Sequence, residues 1–161
     1  MAILSIVTGS DTPMLRTKGK RIAKVTKDIA KLLKDMEATL IKADGLGLAA
    51  PQVNQSLRLC LAKIGGRITP LINPDITWRS EDKATAEEGC LSLPGMYVDV
   101  PRPIAIIVRY ENAKGQKQER KLSDLEARIV QHEVDHVEGV LIVDYQNMPY
   151  QRKSAAHTNM Q

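Results

Sequence analysis

The residues whose types and spacing could do chemistry are concentrated in one string, Gln131-His132-Glu133-Val134-Asp135-His136. On a helix, His132 and His136 stand four residues apart and project from one face, about one turn from each other. Two imidazoles so placed can bind one metal ion. Glu133 is rotated by about 100° from His132, which sets its carboxylate beside the metal's open position, where it can act on water. This is the mechanical content of the H-E-x-x-H pattern. His132 and His136 are two of only three histidines in the chain. Histidine is not a favoured core residue without a partner.

A catalytic site of this kind needs a third protein ligand and an open fourth position. The longer pattern H-E-x-x-H-x-x-G-x-x-H places that ligand downstream. Gly139 fits it, but Ile142 stands where the third histidine should be. Glu138 and Asp144 remain as downstream candidates. Upstream lies Glu87-Glu88-Gly89-Cys90-Leu91-Ser92. Gly89 lets the backbone approach something closely, and a Cys90 thiolate with two neutral imidazoles gives a Cys-His-His set with a position left for water. Beside the helical histidine pair, Cys90 is the preferred third ligand. Cys60 reads instead as a small buried hydrophobe in a strand. A third string, Gly45-Leu46-Gly47-Leu48-Ala49-Ala50-Pro51-Gln52, suggests a backbone that a ligand or strand must approach closely. It follows a helix and lacks Lys-Ser/Thr, so it is a poor phosphate loop.

The elements that must position these residues can be read from periodicity. Ile22, Val25, Ile29, Leu32, Met36 and Leu40 recur at steps of three and four, which predicts an amphipathic helix over residues 20–43, stopped at Asp44-Gly45. A β-rich stretch follows, with strands at 57–64, 68–72 and 76–79 and a turn at Asn73-Pro74. Residues 104–110 and 116–122 read as a hairpin around Asn112–Gly115. Ser123 and Glu126 form an S-x-x-E capping box for a second helix, with Leu125, Ile129, Val130, Val134 and Val137 on its buried side and Gly139 at its end. Residues 140–144 read as a short strand. The expected organisation is one catalytic domain over residues 1–147 and a poorly ordered C-terminal tail over 148–161.

Composition agrees with one globular domain. The 161 residues are 43% hydrophobic and 26% charged, with only 3% aromatic, so the core rests on Ile, Leu, Val and Ala. No apolar run is long enough to cross a membrane, and Met1–Asp11 lacks the features of a secretion signal. Two cysteines suit a reducing compartment rather than a disulfide scaffold. The net charge of +4 is mild and the basic residues are interspersed, so a mixed solvated surface is expected.

Taken together, the three strings resemble those of the peptide deformylases, whose pattern is G-x-G-x-A-A-x-Q, then E-G-C-L-S, then Q-H-E-x-D-H. Each is complete here and in that order. The resemblance covers roughly residues 3–145. It implies an α+β fold with antiparallel strands around a central helix that carries the two histidines. It also implies a metal-dependent hydrolase that removes the formyl group from the initiator methionine of nascent chains and releases formate. On this resemblance Cys90, His132 and His136 would hold one divalent metal, Fe²⁺ in the native protein, with Zn²⁺, Ni²⁺ or Co²⁺ able to substitute. Glu133 would be general base and then acid. The Gln52 amide and the Leu91 N–H would stabilise the oxyanion. Gly45, Leu46 and Gly47 would meet the substrate, with Ala86, Leu125 and Ile129 as further walls of a methionine slot. Glu88, Arg102 and Asp135 are candidates for a network that orients the site.

Expected partners are N-formyl-Met nascent peptides and, transiently, the ribosome, with no specific nucleic acid, no membrane and a monomeric state. The expected location is the cytoplasm, or an organelle stroma or matrix for a processed form. Many bacterial members carry a basic C-terminal helix linked to ribosome docking. Here only Arg152 and Lys153 stand in a segment without apolar periodicity.

Overall fold

The long helix expected near the N-terminus is shorter than its apolar periodicity suggests. In the computed structural model, which describes residues 1–146, helix α2 spans Lys27–Ala43 and is capped by the Thr26 hydroxyl, which accepts from the Ile29 N–H at 3.3 Å. Residues 20–26 are not helical because their backbone is engaged elsewhere. Lys20 bridges to Leu57, and Ile22 exchanges two hydrogen bonds with the Asn73 side chain. Asp44 itself, at φ 53°, takes the left-handed position that ends the helix, rather than Gly45. Before α2 there is only a single helical turn, α1, Pro13–Arg16. The tail expected over 148–161 lies outside the described residues.

Seven antiparallel strands follow: β1 Gly47–Ala49, β2 Leu59–Ile64, β3 Arg67–Arg79, β4 Lys83–Cys90, β5 Leu93–Pro103, β6 Ala105–Glu111 and β7 Lys117–Ser123. A five-stranded sheet has the order β1-β2-β3-β6-β7, and β4-β5 forms a separate two-stranded ribbon. The strands expected at 68–72 and 76–79 are one continuous β3. Asn73-Pro74 is a bulge within it and not a turn. Asn73 sits at φ 52°, and its side chain repairs the disturbed ladder by bonding Ile22 and Glu111. The hairpin β6-β7 is as expected. The ribbon β4-β5 was not legible, because Glu87–Ser92 carries few β-favouring residues.

Helix α3, Asp124–Val137, packs against β1 and β2 of the sheet and against β5 of the ribbon. Ala127, Ile129, Val130, Val134 and Val137 join a core with Ala49, Cys60, Ala62, Leu71 and Ile106. The chain is thus an α+β fold around a central helix, as expected. The capping box is not formed. Asp124 turns back at φ 55°, its N–H bonds Ile104, and the Glu126 carboxylate accepts from the Gly65 N–H instead. Residues 140–144 are also not a strand. Ile142–Tyr145 is a 3₁₀ turn, fixed by Asp144, which accepts from the Leu141 N–H at 2.9 Å and pairs with Arg16.

Gly139 ends α3 where only glycine fits. Its φ is 76°, and a Cβ there would lie 2.7 Å from the Arg16 carbonyl oxygen. Gly139→Ala is expected to cost more than about 1 kcal/mol, and a thermal melt should show Tm lower by at least ~3 °C. An unchanged Tm would mean that the two segments are not packed as seen. Among the described residues no helix is long and apolar enough to cross a membrane.

Candidate active site

Three side chains from two chain segments meet at the middle of α3. Cys90 is the last residue of β4, and a register shift between Gly89 and Cys90 accompanies the end of regular pairing. His132 and His136 come from α3. The three ligand atoms lie within 4.8 Å of one another. Cys90 Sγ is 3.3 Å from His136 Nε2, and the two imidazole centroids are 5.1 Å apart. All three side chains are buried. The downstream candidates Glu138 and Asp144 point elsewhere, to Arg58 and Arg16.

A network sets the imidazole of His132. Glu88, wholly buried, accepts from His132 Nδ1 at 2.9 Å. An ionised carboxylate only accepts, so Nδ1 carries the proton and Nε2 is left free on the side of Cys90. Arg102 grips Glu88 through two nitrogens at 2.6 and 2.9 Å and reaches Asp135 at 2.9 Å. Arg128 donates to Glu88 as well, at 2.6 Å, and to the carbonyls of Val100 and Ala84. Tyr145 donates to Asp135 at 2.7 Å. Burial alone would raise the Glu88 pKa, but the Arg102 charge and the bonds from Arg102 and His132 outweigh it and hold the carboxylate well below its usual range.

The field inside the site favours a cation. Burial works against charge on His132, yet Cys90, Glu133 and Glu88 together push its pKa well up. Those same groups welcome a divalent ion in place of a proton. One thiolate and two imidazoles are the donors that borderline transition metals prefer, so the residues fit such an ion.

Glu133 is buried, and burial pushes its pKa up to about 7, against the pull of His132. Its Oε1 has no hydrogen-bond partner among the described residues. A carboxyl group that gains and loses a proton near neutrality, with one free oxygen, suits general base work. The neighbouring glycine follows from this placement. A Cβ on Gly47 would stand 2.5 Å from Glu133 Oε2. Gly47→Ala should therefore displace the carboxylate and lower kcat/KM by 10- to 100-fold, a loss of about 1.4–2.7 kcal/mol, with metal content unchanged. Full activity would show that Glu133 does not need its observed position.

Gln52 lies in the 3₁₀ turn Ala50–Val53. Its Oε1 accepts from the Ala49 N–H at 2.9 Å, which turns Nε2 toward Ser92 Oγ at 3.1 Å and Cys90 Sγ at 3.8 Å. The amide donor therefore points at the metal-ligand side. Leu91 follows Cys90 directly, in the turn between β4 and β5. The N-terminal segment braces both pieces: the Val7 N–H donates to Gln52 O at 2.7 Å and the Gly9 N–H to Ser92 O at 3.0 Å.

Residues 3–152 match the family model described as polypeptide deformylase. The chain belongs to the peptide deformylase family. The curated peptide deformylase of Pseudothermotoga lettingae is 45% identical over 132 residues, covering 82% of this chain and 77% of that one. The Nitrosococcus oceani peptide deformylase is 45% identical over 148 residues, covering 90% and 87%. Among solved structures, the peptide deformylase of Thermotoga maritima superposes with a TM-score of 0.88 at 37% identity, covering 92% of this chain and all of that one. That of Ehrlichia chaffeensis in complex with actinonin gives 0.87 at 36%, covering 90% and 89%.

Within this deformylase fold the expected pocket residues are placed unequally. Leu46 and Ile129 meet in one apolar cluster. Leu125, Ile129 and Glu133 follow at i, i+4 and i+8 on one side of α3, but Leu125, in the first turn, is 45% exposed. Ala86 is buried on β4 of the ribbon, and Gly45 is buried where α2 ends. The residues that sequence reading missed are Ser92 and Arg128. Ser92 sat in the quoted E-G-C-L-S string without a role. Arg128 stands among the apolar positions of α3, and a buried arginine there signals a buried acid to meet it.

Proposed function

We propose that Cys90, His132 and His136 hold one divalent cation, Fe²⁺ in the native protein, and that Glu133 moves the proton in the deformylation of N-formyl-methionyl peptides. The family's reaction is metal-dependent hydrolytic removal of the N-formyl group from nascent chains. The observation that carries the residue assignment is the buried Cys-His-His cluster with Glu133 beside it. When bound, a cation there supplies positive charge at a developing oxyanion and lowers the pKa of water toward neutrality.

The chain's own groups do the rest. Glu133 takes a proton from water as its oxygen bonds to the formyl carbon. Gln52 Nε2 and the Leu91 N–H donate to the carbonyl oxygen as it becomes negative, and one such donor is worth about 3 kcal/mol. Glu133 then passes the proton to the amine nitrogen as the C–N bond breaks, giving formate and a free N-terminus. Gly45, Leu46 and Gly47 meet the peptide backbone, and Leu46, Ala86, Leu125 and Ile129 border the methionine side chain. Cys90 upstream of the histidines opposes a peptidase of the kind whose longer H-E-x-x-H-x-x-G-x-x-H pattern takes its third ligand downstream.

The working setting is the cytoplasm, or an organelle stroma or matrix, with nascent peptides as substrate, transient ribosome contact and a monomeric enzyme. The test is formate release from a formyl-Met peptide after anaerobic loading with Fe²⁺, beside Zn²⁺, Ni²⁺, Co²⁺ and a chelated sample. Formate should appear, fastest with Fe²⁺, while internal peptide bonds survive. Cleavage of internal bonds without formate would favour a peptidase.

A further inference from the structure

The chain's excess positive charge is confined to one segment. Residues 16–34 hold eight basic residues and one acid, a net +7, whereas the rest of the chain holds fifteen basic and eighteen acidic residues, a net −3. The mixed surface expected from the whole composition therefore conceals a local segregation. Structure places the segment in the approach to α2 and on its outer side. Lys27, Lys31 and Lys34 fall within about 60° of one another around the helix axis, opposite the buried Leu33, Met36 and Leu40.

Lys20, Lys24, Lys27 and Lys34 are exposed and have no acidic partner among the described residues. Lys31 shares its charge with Asp35 at 2.7 Å. Ordinary surface helices intersperse acids at i±4 to offset such a row. Here Asp28 is the only acid between Lys18 and Lys34.

We propose that this face of α2, with the segment leading into it, binds the phosphate backbone of double-stranded RNA without reading its sequence. Three observations select that partner. The unpaired charges are lysines, which meet phosphates as point charges and impose no fixed geometry, as binding without sequence readout requires. No aromatic residue lies in 16–34, so there is no platform on which single-stranded bases could stack. Leu33, Met36 and Leu40 of α2 are buried in the core with Leu48, Leu59 and Leu61, and Ile41 alone of its large apolar residues is exposed, too little to form a face that enters a lipid surface. The choice of RNA over DNA rests on the reading above that the substrate is a nascent chain, met where folded RNA is concentrated. The binding itself does not depend on deformylation.

The experiment measures binding of the full chain to a fluorescent RNA duplex of about 20 base pairs from 50 to 200 mM salt, with a DNA duplex and phosphatidylglycerol vesicles as parallel probes. Four free lysines predict a slope of log K against log salt of about −4. Lys24→Glu, Lys27→Glu and Lys34→Glu together should weaken RNA binding at least tenfold at 50 mM salt. They should leave formate release from a short formyl-peptide within twofold of the parent. A control with Arg79→Glu, Lys83→Glu and Lys121→Glu, exposed residues at the other end of the sheet, changes net charge equally and should bind RNA as the parent does. Equal loss in the control, no RNA binding at 50 mM salt, tighter binding to DNA, or binding to vesicles alone would each overturn the proposal. Because formate release is read separately, a failed deformylase reading cannot be confused with a failed RNA surface.

Discussion

A Glu133→Gln variant will keep its metal and lose its turnover. The substitution preserves the size of a buried side chain and removes only the capacity to accept and return a proton. General acid–base catalysis contributes about 10²- to 10⁴-fold, and Glu133 is asked to act twice, so kcat/KM should fall by at least three orders of magnitude, or ~4 kcal/mol. Metal content, read by elemental analysis, should stay at one per chain, because Cys90, His132 and His136 are untouched. Turnover within tenfold of the parent would remove Glu133 from the mechanism.

The largest effect on stability belongs to Glu88. It is fully buried and shared by Arg102, Arg128 and His132. Glu88→Gln leaves two buried guanidinium groups facing a neutral amide, and breaking a buried ion pair from one side costs about 3–5 kcal/mol. Tm should fall by roughly 10 °C. The His132 Nδ1 proton loses its charged acceptor, and losing such a support typically weakens metal binding by about 10–100-fold. Chelator competition would read this directly. Arg58, which pairs with Glu138 and Asp75 away from the metal ligands, offers a control: Arg58→Met should lower stability with less effect on metal affinity. Equal effects would mean that Glu88 acts only through folding.

Acid should expose the same network. The folded-state pKa of Glu88 is depressed. Its contribution is therefore complete above the ordinary carboxylate value of 4.5 and is lost as pH falls below it. The parent should lose more stability between pH 5 and 3, about those limits, than Glu88→Gln does.

The chemistry was more legible than the scaffold. His132, Glu133 and His136 declare themselves through helical spacing, which is local information. Cys90 comes from another segment, and its assignment needed the order of three strings as well as the physics of a thiolate. Arg128 was hidden because a single arginine in an apolar row reads as surface until its partner is known. The helix boundaries failed where tertiary contacts outbid local pattern. Ile22 and Val25 continue the period of α2, yet the Asn73 side chain holds Ile22 in an extended segment. Ser123 and Glu126 have the right spacing for a cap, but Asp124 leaves the helical region and Glu126 bonds Gly65. Asn73-Pro74 has turn chemistry, and the sheet absorbed it as a bulge.

The most direct test is X-ray absorption at the metal edge of the zinc-loaded chain, with Cys90→Ser measured alongside. One sulfur at about 2.3 Å and two imidazole nitrogens at about 2.0–2.1 Å are predicted, and the sulfur shell should vanish in the variant. A stoichiometric metal with no sulfur neighbour, or a sulfur shell that survives Cys90→Ser, would contradict the account.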